Sequence, residues 1–109
     1  MSIRHKRGDT FRPVVRLRYN DEPVPADWTV RCQMRDRQKN LIKDFAPIEV
    51  VDAGEGLYAL NATKEETKLW QPGEYESDVE FTSPGGFRIS GPTFSISIER
   101  DITRTEGGA

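Results

Sequence analysis

Cysteine and histidine each occur once, as Cys32 and His5, and that scarcity removes whole classes of chemistry. A lone cysteine forms no internal disulfide. One of each cannot assemble a zinc site of the usual ligand spacing or a Cys–His nucleophile pair. The chain also lacks a charge excess, because 16 basic and 18 acidic side chains leave a formal charge of -2. No global field therefore favours nucleic acid or an anionic membrane. No apolar run approaches membrane-spanning length, and the basic segment Met1 to Asp9 lacks the apolar stretch of a secretion signal. The expectation is a chain made in a reducing cytoplasm, with Cys32 buried and inert. The glycine pairs are followed by no lysine-bearing helix, so there is no phosphate-cradling loop. No cofactor and no catalytic residue is expected.

What the chain does have is alternation. With 109 residues, 35% hydrophobic and 31% charged, it fits one domain with a thin core and charged outer faces. The expected organisation is a basic leader over 1–9, a single β-sandwich domain over 10–103 and a flexible tail over 104–109. Turn clusters recur about every ten residues, the spacing of a sandwich or small barrel. The clearest strand runs from Glu74 to Phe81, where Tyr75, Ser77, Val79 and Phe81 face one way and Glu74, Glu76, Asp78 and Glu80 the other. Trp28 to Asp36 repeats the pattern, with Trp28, Val30, Cys32 and Met34 inward and Thr29, Arg31, Gln33 and Arg35 outward. Thr10 to Tyr19 reads as the first strand, with Pro13 marking an edge or an irregularity. Leu41 to Val51 is broken at Pro47, into two short strands or one bulged strand. Leu57 to Ala62, Phe87 to Ile89 and Thr93 to Glu99 complete an all-β, immunoglobulin-like antiparallel sandwich of about seven strands.

One short helix is expected near residues 64–70. Thr63-Lys64-Glu65-Glu66 spells a capping box, and Pro72 stops the helix after about two turns. A helix that short is marginal alone, so Leu69 and Trp70 should dock it on the sandwich. Trp70 reads either as a plug under the sandwich or as an exposed contact.

The acidic row on Glu74, Glu76, Asp78 and Glu80 could in principle hold Ca²⁺. Side chains nearly 7 Å apart along one strand converge poorly, however. Pairing with the basic rows Arg16, Arg18 and Arg31, Arg35 explains it better, since opposite charges on neighbouring strands contribute roughly 0.2–1 kcal/mol per pair. That reading places the Trp28–Asp36 strand between the first strand and the Glu74–Phe81 strand. The expected interaction surface is Arg12, Arg16, Arg18 and Trp70, with the first and last strands as open sheet edges.

These motifs, taken in order, carry a family resemblance. Gly8-Asp9-Thr10-Phe11, Met34-Arg35-Asp36, Gly54-Glu55-Gly56, Leu69-Trp70-Gln71-Pro72-Gly73-Glu74-Tyr75 with Asp78, and Asp101-Ile102-Thr103 together resemble small bacteriophage tail and baseplate-associated proteins. They are similar to the immunoglobulin-like N-terminal domain of baseplate upper proteins. The resemblance implies a phage or prophage virion component or assembly protein, non-enzymatic, with other phage tail or baseplate proteins as partners. A homo-oligomer is compatible with it, and neither nucleic acid nor membrane is implied as a partner. The rival reading is a small carbohydrate-binding or adhesin module using Trp70 and the loops around Pro23 and Pro84.

Overall fold

A computed structural model describes residues 2–100. The chain forms β1 (Ser2–Lys6), β2 (Val14–Arg16), β3 (Arg18–Tyr19), β4 (Glu22–Pro23), β5 (Thr29–Arg35), β6 (Leu41–Asp44) and β7 (Glu49–Asp52). A 3-10 turn over Ala53–Glu55 leads to β8 (Leu57–Ala59), a helix α1 (Lys64–Thr67), β9 (Gly73–Thr82) and β10 (Arg88–Glu99). One sheet has the order β1-β10-β9-β5-β6 and the other β2-β8-β7, while β3 and β4 form a small separate pair. The two sheets enclose a shared core, so the molecule is an immunoglobulin-like β-sandwich.

Period-two alternation decides which faces meet. Val30, Cys32 and Met34 of β5, Tyr75, Ser77, Val79 and Phe81 of β9, and Phe94, Ile96 and Ile98 of β10 are all buried. From the opposite sheet come Val15, Tyr58 and Ala59. Phe11 joins the layers through a bridge to Ala62, with its ring stacked on Phe45 at 5.9 Å and edge-on to Trp70 at 5.4 Å. Gly56 is required at the end of the 3-10 turn. It sits at φ +72°, and a Cβ there would lie 2.6 Å from the Leu17 carbonyl oxygen.

Four expectations need correction. Ser2–Lys6, assigned to a leader, is a strand running parallel to β10 along its whole length. The last strand is therefore interior, and β1 takes its place at the sheet edge. The strand centred on Cys32 does neighbour β9, but its other neighbour is β6, because the first strand belongs to the opposite sheet. Phe87–Ile89 and Thr93–Glu99 are not separate strands. β10 runs through both, with a register shift between Ser90 and Thr93 that absorbs Gly91-Pro92. The expected tail over 104–109 lies outside the described residues.

The capping box is present as read, with the Glu66 amide donating to Thr63 Oγ1 at 3.1 Å and the Thr63 amide to Glu66 Oε1 at 2.9 Å. The helix stops a turn early, however. Thr67 Oγ1 donates to the Asp9 and Lys64 carbonyls and accepts from the Gly8 amide, which ties α1 to the link after β1. Leu69 follows in a turn, its amide donating to the Glu66 carbonyl at 3.0 Å, and its side chain is exposed to solvent.

Candidate functional site

Two open sides and one corner cleft are the features that could engage a partner. On one side of the sandwich lie the edges β1 and β2, and both are basic. Arg4 and Lys6 project from β1, and Arg16 projects from β2 with Arg12 and Arg18 flanking it. Arg12 makes a two-point contact with Glu49, Nε to Oε1 at 3.3 Å and Nη2 to Oε2 at 2.6 Å. That hydrogen bond raises the Arg12 pKa, and together with the Asn61 amide it holds the Glu49 carboxyl below its ordinary value. Arg16 lies 3.9 Å from Glu55, and Arg18 donates to the Asp21 carbonyl at 3.1 Å. Arg12, Val14, Arg16 and Arg18 are the exposed positions of one alternating row, although Arg12 reaches past β8 to Glu49 on β7.

Trp70 does not join that row. It is 5% exposed and packs on Phe11, so it is the plug rather than a surface contact. Its neighbour Leu69, expected to dock inward, is 78% exposed. Ile42, Leu69, Pro72 and Tyr75 border a cleft of about 500 Å³ with Asp36 and Arg37 at its rim. Asp36 is fully engaged there. It accepts from the Gln38 and Asn40 amides and from the Asn40 side chain, and the Asn40 backbone contact leads in holding its pKa down.

The corner beneath the cleft is built on Tyr75. Its hydroxyl donates to the Gln71 carbonyl at 2.6 Å, a tyrosine corner at the entry to β9, and burial pushes the phenol pKa up. Two residues on, the Ser77 hydroxyl donates to the Gln33 carbonyl and lies 3.0 Å from Cys32 Sγ. Burial raises the Cys32 thiol to about 11, so it is a neutral core group rather than a nucleophile.

The outer face of the larger sheet carries the acidic row of β9 against the basic row of β5, in the register Arg31–Glu80 and Arg35–Glu76. The closest ion pairs form elsewhere: Arg31 reaches Asp44 at 3.0 Å, Glu80 takes Arg88 at 3.6 Å, and Glu76 takes Lys39 at 3.6 Å. The rows set complementary potentials while individual carboxylates are matched laterally. Among the described residues, no group of three or more His, Cys, Asp or Glu side chains is placed to hold a metal ion. Tyr58, Trp70 and Tyr75 are buried, Trp28 is half-buried against Tyr19, and Phe87 stands exposed on the β9–β10 hairpin.

No protein-family model matches the chain, and no curated protein sequence does. Solved structures do share the fold. The N-terminal domain of phage TP901-1 ORF48 aligns over 91% of this chain and 85% of its own length, with 18% identity and a TM-score of 0.62. CopC from Methylosinus trichosporium OB3b aligns over 96% of this chain and 91% of its own, with 11% identity and a TM-score of 0.59. At such identities the likeness is one of architecture.

Proposed function

We infer that this chain is a non-enzymatic structural or assembly subunit of a bacteriophage tail or baseplate, located in the virion and acting through protein–protein contact. The observation that carries this reading is the shared fold with a phage protein domain over 91% of the chain. The ordered tail-protein motifs of the sequence point the same way. The mechanism is docking along open sheet edges, whose unpaired amides and carbonyls accept another chain's strand. The basic side formed by β1 and β2 suits an acidic surface on a neighbouring tail protein, with Val14 supplying apolar contact between Arg12 and Arg16.

The test is co-expression of the tagged chain with the tail proteins encoded beside it. A defined tail protein should co-purify. The double reversal Arg16→Glu with Arg18→Glu should abolish that capture and leave thermal unfolding of the isolated chain nearly unchanged, since both arginines make only solvent-exposed contacts. Undiminished capture by the double variant counts against the basic side. Failure to capture any tail protein counts against the reading as a whole.

A further inference from the structure

The two ends of β9 carry opposite features, an apolar cleft where the strand begins and an exposed aromatic ring just beyond the point where it stops. Ten residues from Gly73 to Thr82 separate them, roughly 30 Å at about 3.3 Å per residue. The ring is that of Phe87, 61% exposed on the hairpin to β10. Ser83 holds the Phe87 backbone on both sides. The Ser83 amide donates to the Phe87 carbonyl at 2.9 Å, and the Phe87 amide donates to Ser83 Oγ at 3.0 Å. Gly86, at φ +90°, supplies the left-handed residue of that turn. A ring presented on so fixed a turn loses little freedom when a partner buries it.

The cleft at the other end takes such a ring. Ile42, Leu69 and Pro72 line it over the buried Trp70 and Tyr75, and its volume of about 500 Å³ is ample for one phenyl group. Arg37 on its rim makes no ion pair among the described residues, and a guanidinium beside an apolar wall favours an aromatic ring over an aliphatic side chain. Phe87 is the one aromatic among the exposed large apolar side chains of the described residues. Charge selects the same match. Glu74, also on the rim, accepts from Ser97 Oγ at 2.7 Å and meets no cation among the described residues. Arg88 follows Phe87 and is 71% exposed; it lies 3.6 Å from Glu80, on the same outer face of the larger sheet that carries Glu74.

We propose that copies of this chain associate end to end, with Phe87 of one copy entering the cleft beside Leu69 of the next and Arg88 of the first pairing with Glu74 of the second. With the outer faces of the two larger sheets on the same side, the ring meets the cleft and the guanidinium meets the carboxylate together. Each copy then uses its ring on one neighbour and its cleft on another, so the contact is heterologous and repeats. The molecule measures 55 × 29 × 21 Å, and its small cross-section keeps an end contact below the roughly 800 Å² per partner of a standard stable interface. Association is therefore weak and grows with concentration. The proposal does not rest on the phage reading and would stand without it.

Light scattering on the full chain, from dilute solution to about 1 mM, should give an average mass that rises from 12.4 kDa past twice that value without a plateau. Phe87→Ser removes the ring and Leu69→Glu puts a charge in the cleft, and each should weaken association by about tenfold or more. Both positions are solvent-exposed, so thermal unfolding of either variant should stay near that of the parent. In an equimolar mixture, Phe87→Ser offers an intact cleft and Leu69→Glu an intact ring. Together they should form a dimer that cannot grow further, which no folding defect would produce. Glu74→Arg alone should weaken growth, and combining it with Arg88→Glu in one chain should restore it. A mass of 12.4 kDa at every concentration, or undiminished growth in Phe87→Ser or Leu69→Glu, overturns the proposal. So does a parent mass that stops at the dimer, which would mean a side-by-side antiparallel pair. A mixture that stays monomeric or grows beyond two copies, or a double variant no better than Glu74→Arg, overturns it as well. Should Leu69→Glu not fold, Glu74→Arg takes its place in the mixture and is read the same way.

Discussion

At the corner between α1 and β9, single atoms decide the path of the chain. The Tyr75 hydroxyl reaches back to the Gln71 carbonyl while its ring remains in the core, so one side chain fixes both the turn and the start of the strand. Tyr75→Phe keeps the ring and removes the donor. The Gln71 carbonyl loses that partner, and the expected cost is about 1 kcal/mol, read as a lower urea midpoint with an unchanged m-value. An unchanged midpoint would show that the corner is held by the Pro72-Gly73 turn alone. Burial at this scale also explains why Trp70 and Leu69, adjacent in sequence, have opposite fates. Past the cap at Lys68 the chain tightens into turns, with the Leu69 amide on the Glu66 carbonyl and the Trp70 amide on the Thr67 carbonyl, and the two side chains part.

Among the elements, α1 is the one whose stability depends most plainly on pH. The Glu66 carboxyl is held below its ordinary value, first by the hydrogen bond from Lys43 and then by the Thr63 amide. A carboxyl depressed in the native state contributes stability that is fully present above its unfolded value of 4.5 and is lost as pH falls through the native one. The urea midpoint should therefore be level through neutral pH and fall below about pH 4.5. Asp36, Asp44 and Glu49 are shifted in the same direction and add to that fall. Glu66→Gln preserves a residue able to close the capping box but removes one titrating group, so its decline in acid should be shallower than that of the parent. An identical acid limb in both proteins would mean that the Lys43–Glu66 pair does not contribute.

Elements were legible in the sequence wherever one strand faces the core on one side and water on the other. β5 and β9 announce themselves by strict alternation, and Thr63 with Glu66 announces the helix start. β1 was not legible. Ser2–Lys6 contains a single aliphatic residue, Ile3, and its partner β10 lies about ninety residues away in a parallel pairing that no turn signals. Missing β1 led directly to the misassigned edge at the last strand. The arginine row was legible because Arg12, Val14, Arg16 and Arg18 share a face.

For the whole molecule, strand order predicts where the structure opens first. β9 lies between β10 and β5, and β5 between β9 and β6, so both are hydrogen-bonded on two sides and bury residues such as Cys32, Met34 and Ser77 completely. β7 pairs on one side only and buries no residue. Amides in such a strand are released by local opening at a small fraction of the global free energy, whereas those of β5 and β9 require nearly complete unfolding. Hydrogen exchange followed by mass spectrometry at high dilution should therefore show β7 exchanging orders of magnitude faster than β9, with β6 and β2 between them. Equal protection of β7 and β9 at high dilution would mean that the two sheets open as a single cooperative unit despite the exposed edge.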